Sequence, residues 1–226
     1  MDYRVLLAAP LAALMLSVNA AEVRLPHGWG EYKLPIPKFP FITPPNYEIG
    51  LDPNDAATGA RSLTVRAVGG FSTDAPSYGA AQQLVYGYAG QRVRLAGQVR
   101  AEGSSGWAGL YVGAGNEQLL SNLAQGLPGV EHRLPMGAAA TTSGWQDVSV
   151  VIDVPADALS INLGLALVGE GQAWARGLRF DVVGPEVPVT RTPVGMDWQQ
   201  ARNVRVKYSG MMAQVPPMPL RNAALD

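Results

Sequence analysis

The chain contains no cysteine. That removes a disulfide framework, a thiolate metal site, a catalytic thiol and a lipid-bearing cysteine from consideration. An excess of charge of one sign is also missing: 17 Lys and Arg stand against 18 Asp and Glu, a formal net charge of −1, with the signs interspersed. No basic stripe exists to neutralise phosphates, and no polybasic run to meet an anionic bilayer, so the composition argues against nucleic-acid and membrane-surface partners. Charged residues make up only 15% of the chain. No helical run of apolar residues exceeds two turns, the best being 116–123.

Turn-formers, by contrast, are abundant, with Gly 26 and Pro 18. Low charge with many turn-formers is the composition of an exported all-β domain. The first residues fit export. Arg4 precedes an apolar run, Val5–Leu16, and Val18-Asn19-Ala20 places small residues at a cleavage position. The run falls short of the roughly 18 residues of a spanning helix, so it reads as a signal peptide over 1–20, with a periplasmic or secreted bacterial destination and no membrane insertion after its removal. About 206 residues then remain, enough for one core.

Residues 21–46 form a leader rich in proline (Pro26, Pro35, Pro37, Pro40, Pro44, Pro45). Each proline removes a donor, so no interior strand or helix is expected, and the segment reads as extended chain with Ile36, Phe39 and Phe41 partly buried. The domain itself is expected over 47–190, followed by a tail over 191–226 that either packs along it or engages a partner.

Within the domain, apolar and polar residues alternate. Val148, Val150, Ile152 and Val154 share one face, as do Ile161, Leu163, Leu165 and Leu167, and then Trp174, Leu178, Phe180 and Val182. Turn-formers at 155–157 and 169–171 separate these runs. Period two with one apolar side means strands that cover a core and meet water. Further strands are expected at 47–51, 62–68, 80–86, 92–101, 108–112 and 118–123, and one more at 203–208. The pattern predicts an all-β fold, a two-sheet antiparallel β-sandwich of jelly-roll type.

Four phrases then carry a resemblance: GQRVRLAGQVRAE (90–102), WAGLYVG (107–113), GWQDVSVVIDVPADA (144–158) and LGLALVGEGQAWARGLRFDVVGPEVPVT (163–190). They resemble a bacterial galactose-binding-domain-like β-sandwich, similar in architecture to carbohydrate-binding modules. Relatives of this kind are appended to DNA-binding regulators and secreted peptidases. The resemblance covers roughly 47–190 and implies a fold more than an activity. Such modules often carry an aspartate soon after the tryptophan of the last strand, where this chain has Arg176. By alternation Arg176 falls on the face of Trp174, and a bulge at Gly177 is expected to turn it outward.

No catalytic constellation emerges. The two imidazoles, His27 and His132, lie in the leader and in a glycine-rich loop, and Ser104-Ser105 is a turn. Asp147 and Asp153, on the outward side of one strand, are too far apart for a glycosidase pair. The Gly-Ala-Gly and Gly-Glu-Gly turns at 113–115 and 169–171 sit between strands and read as hairpins. Asp52, Asn54 and Asp55 cluster oxygens as calcium prefers, with Asp52 and Asp55 as ligands of a structural calcium, although Pro-Asn-Asp is equally ordinary turn chemistry. No other cofactor is expected.

Sugar recognition is the sharper expectation. A sugar ring pairs an apolar C–H face with a rim of hydroxyls, which proteins meet with an aromatic ring plus amide or guanidinium groups. Trp107 follows the flexible GSSG turn, Tyr86 and Tyr88 close a strand, and Gln82, Arg94, Gln98 and Arg100 supply polar groups. Trp145 and Trp174 read instead as core or edge-sealing residues. The chain is therefore expected to be an exported, non-catalytic module that recognises an extracytoplasmic ligand, with a carbohydrate as the candidate and with Trp107, Tyr86 and Arg94 converging on one open surface. The alternative is an envelope assembly protein that docks a protein partner through its leader and tail.

Overall fold

A computed structural model describes residues 23–34, 46–57, 59, 61–69, 78–115, 136–140, 143–194 and 218–226. The expected signal peptide, the strands expected at 118–123 and 203–208, Ile36, Phe39, Phe41 and His132 lie outside these residues. Ten strands are described: β1 (Gly30–Leu34), β2 (Asn46–Leu51), β3 (Leu63–Gly69), β4 (Tyr78–Val85), β5 (Arg92–Glu102), β6 (Ala108–Gly115), β7 (Met136–Ala139), β8 (Gln146–Asp153), β9 (Ser160–Val168) and β10 (Gln172–Val182). One short helix, α1 (Pro53–Ala57), follows β2.

The strands form two antiparallel five-stranded sheets. Sheet A has the order β1-β4-β9-β6-β7 and sheet B the order β2-β3-β10-β5-β8. The inner residues of both sheets make one core, including Leu63, Val65, Val93, Leu95, Val99, Leu110, Val150, Ile161, Leu163, Leu165 and Leu167. The all-β sandwich read from alternation is the fold. Each strand that alternates in sequence presents its apolar set to this core and its other set outward.

Three details depart from the expectation. First, β1 lies inside the proline-rich leader. It occupies the proline-free window between Pro26 and Pro35 and sits at a sheet edge, pairing only with β4, where a short strand bounded by prolines is tolerated. Second, β7 has the sequence MGAA, which carries no alternation to read. Third, the bulge near Gly177 is present, as a register shift between Arg176 and Arg179 with Gly177 at φ +60°. Its effect differs from the one expected. Ala173 and Ala175 face the core, so Trp174 and Arg176 both point outward. The bulge then resets the alternation and brings Leu178 and Phe180 to the inner side. Trp174 therefore does not share a face with Leu178.

The end segments are bound into the domain. The amide of Leu51 donates to the carbonyl of Arg24, and Tyr86 and Met218 exchange backbone hydrogen bonds. Leu225, 1% exposed, is part of the core. Among the described residues no helix is long and apolar enough to cross a membrane.

Candidate functional site

The outer faces of the two sheets differ in chemistry. Register places Tyr32, Ala80, Ala166, Gly109 and Ala139 in one row across sheet A, and Gln82, Gly164, Tyr111 and Gly137 in the next. Tyr78 with Val168, and Leu84 with Asn162 and Gly113, flank these rows. No charged residue belongs to this face among the described positions. Its middle is Gly and Ala, and its larger groups are aromatic or amide.

Those groups form two contiguous sets. Tyr32, Tyr78 and Tyr111 meet edge to face, with centroids 5.9 Å and 6.3 Å apart along the row. Trp107, Tyr78, Tyr111, Ala166 and Val194 pack as a second apolar cluster, separate from the sandwich core. The Trp107 indole lies over Gly137, where any Cβ would run into the ring. Burial, and then the neighbouring Tyr111 and Tyr32 hydroxyls, hold the Tyr78 phenol well above its ordinary range. Beside the rings, the Tyr111 hydroxyl lies 3.2 Å from Oε1 of Gln82 and 3.1 Å from Oδ1 of Asn162. Nδ2 of Asn162 donates to the same Oε1 at 3.0 Å. The Gln82 carbonyl thus accepts from Asn162 and lies within reach of the single Tyr111 hydroxyl hydrogen, while its own Nε2 donates to no described residue.

The folded chain is similar in fold to carbohydrate-binding modules. Solved structures similar to it include the CBM22-1 xylan-binding domain of Paenibacillus barcinonensis Xyn10C, 13% identical, covering 72% of this chain and 90% of that one with a TM-score of 0.43. A C-terminal family 22 carbohydrate-binding module of Clostridium thermocellum Xyn10B is 13% identical over 70% of this chain and 88% of that one, with a TM-score of 0.44. By sequence the chain is 26% identical over 152 residues to an uncharacterised HTH-type transcriptional regulator, YbfP, of Bacillus subtilis (strain 168), matching 65% of this chain. This chain spans 48% of that curated relative's length. No family model matches.

Sheet B presents the opposite chemistry. Its outer face carries Arg92, Arg94, Gln98 and Arg100 on β5, with Trp174, Arg176, Arg179 and Asp181 opposite them on β10. Arg92 donates Nε and Nη2 to the two carboxylate oxygens of Asp153 at 2.7 Å and 3.0 Å, and Nη1 to the carbonyls of Pro185 and Val187. That hydrogen bond, more than charge attraction, holds the Asp153 carboxyl below its ordinary range. Arg94 pairs with Asp181 at 3.1 Å and Arg66 with Glu48.

The residues expected to converge do not share a surface. Trp107 and Gln82 belong to the outer side of sheet A, whereas Arg94, Gln98 and Arg100 belong to the outer side of sheet B, with the whole core between. Trp107 is 9% exposed rather than standing at a loop mouth. Tyr86 is buried where the chain meets Met218, and Tyr88 packs edge to face on Phe180 at 5.1 Å, against the core. Burial raises the Tyr88 phenol. The correction has a simple cause: alternation tells which residues of one strand share a side, but not which sheet that strand joins.

The two aspartates of the calcium reading are adjacent and engaged. Oδ1 of Asp52 accepts from the amide of Asn54 at 2.8 Å and Oδ2 accepts from Nε1 of Trp174, while Asp55 accepts from the Ser62 hydroxyl. Asp52 thereby caps the first turn of α1 and anchors an outer-face indole. Among the described residues no group of three or more His, Cys, Asp or Glu is arranged to hold a metal ion. Sequence reasoning missed Tyr32, Tyr78, Tyr111 and Asn162. The signal for the last three was present, since each lies at an outward position of an alternating strand.

Proposed function

We propose that the chain is an exported, non-catalytic module that binds a neutral saccharide on the outer face of sheet A. The observation that carries this reading is the amide cluster. Gln82 and Asn162, both half-buried, are held in place by the Tyr111 hydroxyl beside the half-buried ring of Tyr32, on a face without charge among the described residues. The unspent Nε2 of Gln82 suits a sugar hydroxyl, and the face of an aromatic ring suits its C–H surface. Among the described residues this face carries amide, hydroxyl and aromatic groups and no carboxylate or imidazole, a chemistry that suits binding more than proton transfer. The apolar start of the chain supports export.

Affinity electrophoresis in gels containing neutral plant or bacterial polysaccharides tests the site. Retardation by at least one of them is expected, and Gln82→Ala or Asn162→Ala should weaken it about two- to ten-fold, the worth of one neutral hydrogen bond. Retardation that both variants leave unchanged, or none by any neutral glycan, would refute the reading.

A further inference from the structure

Arg100, on the outer face of sheet B, is a cation with no ion pair among the described residues. Its Cζ lies 4.1 Å from the ring centroid of Trp174 and 5.2 Å from that of Trp145. Its Nε is buried and meets no acceptor, and among the described residues no carboxylate or carbonyl accepts from the group. Arg176 sits 4.0 Å over the Trp145 ring, spends Nε on Oε1 of Gln98 at 2.9 Å, and likewise has no carboxylate partner. Three arginines elsewhere on the same face, Arg66, Arg92 and Arg94, are each closed off by an acid. Asp147, across the ladder from Gln98, is exposed and reaches neither guanidinium.

Stacking on indoles fixes a guanidinium by its flat faces and leaves its in-plane N–H donors directed sideways. Such a fork matches a planar carboxylate in a bidentate manner. The half-buried Trp145, within reach of both guanidinium groups, adds apolar surface beside them, which a sugar ring matches and an inorganic anion does not. We propose that Arg100, Trp145 and Arg176 form a binding site for a uronate, the carboxylate-bearing unit of an acidic polysaccharide. The site lies across the sandwich from the neutral face of sheet A, and its case is independent of that face.

The test is affinity electrophoresis of the full chain in polygalacturonate gels. The net charge of −1 gives no general attraction to a polyanion, so retardation reports a local site. Wild type should be retarded, and Arg100→Gln and Arg176→Gln should each weaken binding about ten-fold, as loss of a charge-assisted contact does. Arg179→Gln, which removes an exposed arginine of the same face, should change nothing. Free galacturonate should compete, and sulfate at equal ionic strength should not. Near-UV circular dichroism checks folding; if Arg100→Gln misfolds, Arg176→Gln decides. Absence of retardation, retardation unaltered in the decisive variant, an equal loss in Arg179→Gln, or equal competition by sulfate would overturn the proposal.

Discussion

Asp52 is the side chain on which most depends locally. It is 4% exposed, and its two oxygens tie three things together: the start of α1, the end of β2 and the indole of Trp174. Removing it strands an indole N–H and a helix-end amide away from water. Asp52→Ala should therefore cost about 2–4 kcal/mol, read as a lower urea midpoint at unchanged slope. Asp153 acts instead through the hydrogen bond that its ionised form accepts. Its folded carboxyl is held below the unfolded value by the Arg92 hydrogen bond, so its contribution is present above the unfolded pKa and disappears as pH falls through the folded one. The difference in thermal midpoint between wild type and Asp153→Asn should thus be visible at pH 7, begin to shrink below roughly pH 4, and vanish once the pH has fallen below the folded pKa, which lies lower still. A difference that persists in acid would assign the effect to packing. Tyr47 shows the opposite direction: burial, against the hydrogen bond its hydroxyl donates to the Gly169 carbonyl at 2.8 Å, keeps its phenol from ionising in the usual range.

At the scale of the element, the bulge in β10 governs what both sides of sheet B present. Gly177 is exposed, with φ +60° and nothing within 4 Å of a would-be Cβ, so an added methyl meets conformational strain but no clash. Gly177→Ala should cost about 1 kcal/mol in urea denaturation, and a β-branched Val more. A neutral result would mean that the strand re-registers without the bulge. The same strand marks the limit of what alternation reveals. β8 and β9 are continuous in period two and were legible with their inner faces. β10 was legible as a strand, yet a single extra residue reversed the sides of Trp174 and Leu178, and no periodicity forecasts where the phase resets. β1 was hidden because proline density describes a segment on average, while an edge strand needs only five free residues. The candidate site was less legible than the fold. Gln82 and Arg100 each stood correctly on an outward side, but pairing order, set by turns and by long-range register, put them on opposite layers.

For the whole molecule, the last described residues complete the core. Leu225 is inserted among the inner side chains, and the buried Gln83 side chain holds the backbone of Arg221 from both ends, by Nε2 to its carbonyl at 2.5 Å and Oε1 from its amide at 3.0 Å. Leu225→Ala should cost about 2–4 kcal/mol, and removal of 218–226 more, since the Gln83 amide then loses both partners. Urea midpoints of the two variants check the order; equal midpoints would show that the segment contributes only through Leu225.

The first and last described segments also touch. Nε1 of Trp29 donates to the Asn222 carbonyl at 3.3 Å, and Arg61 clasps Asp226 at 2.6 Å. A mechanical load applied between residues 23 and 226 would fall on this small clasp, on the Arg24–Leu51 hydrogen bond and on the seating of Leu225 before it reached the inner strands. Anything tethered at either position would hang from the same corner.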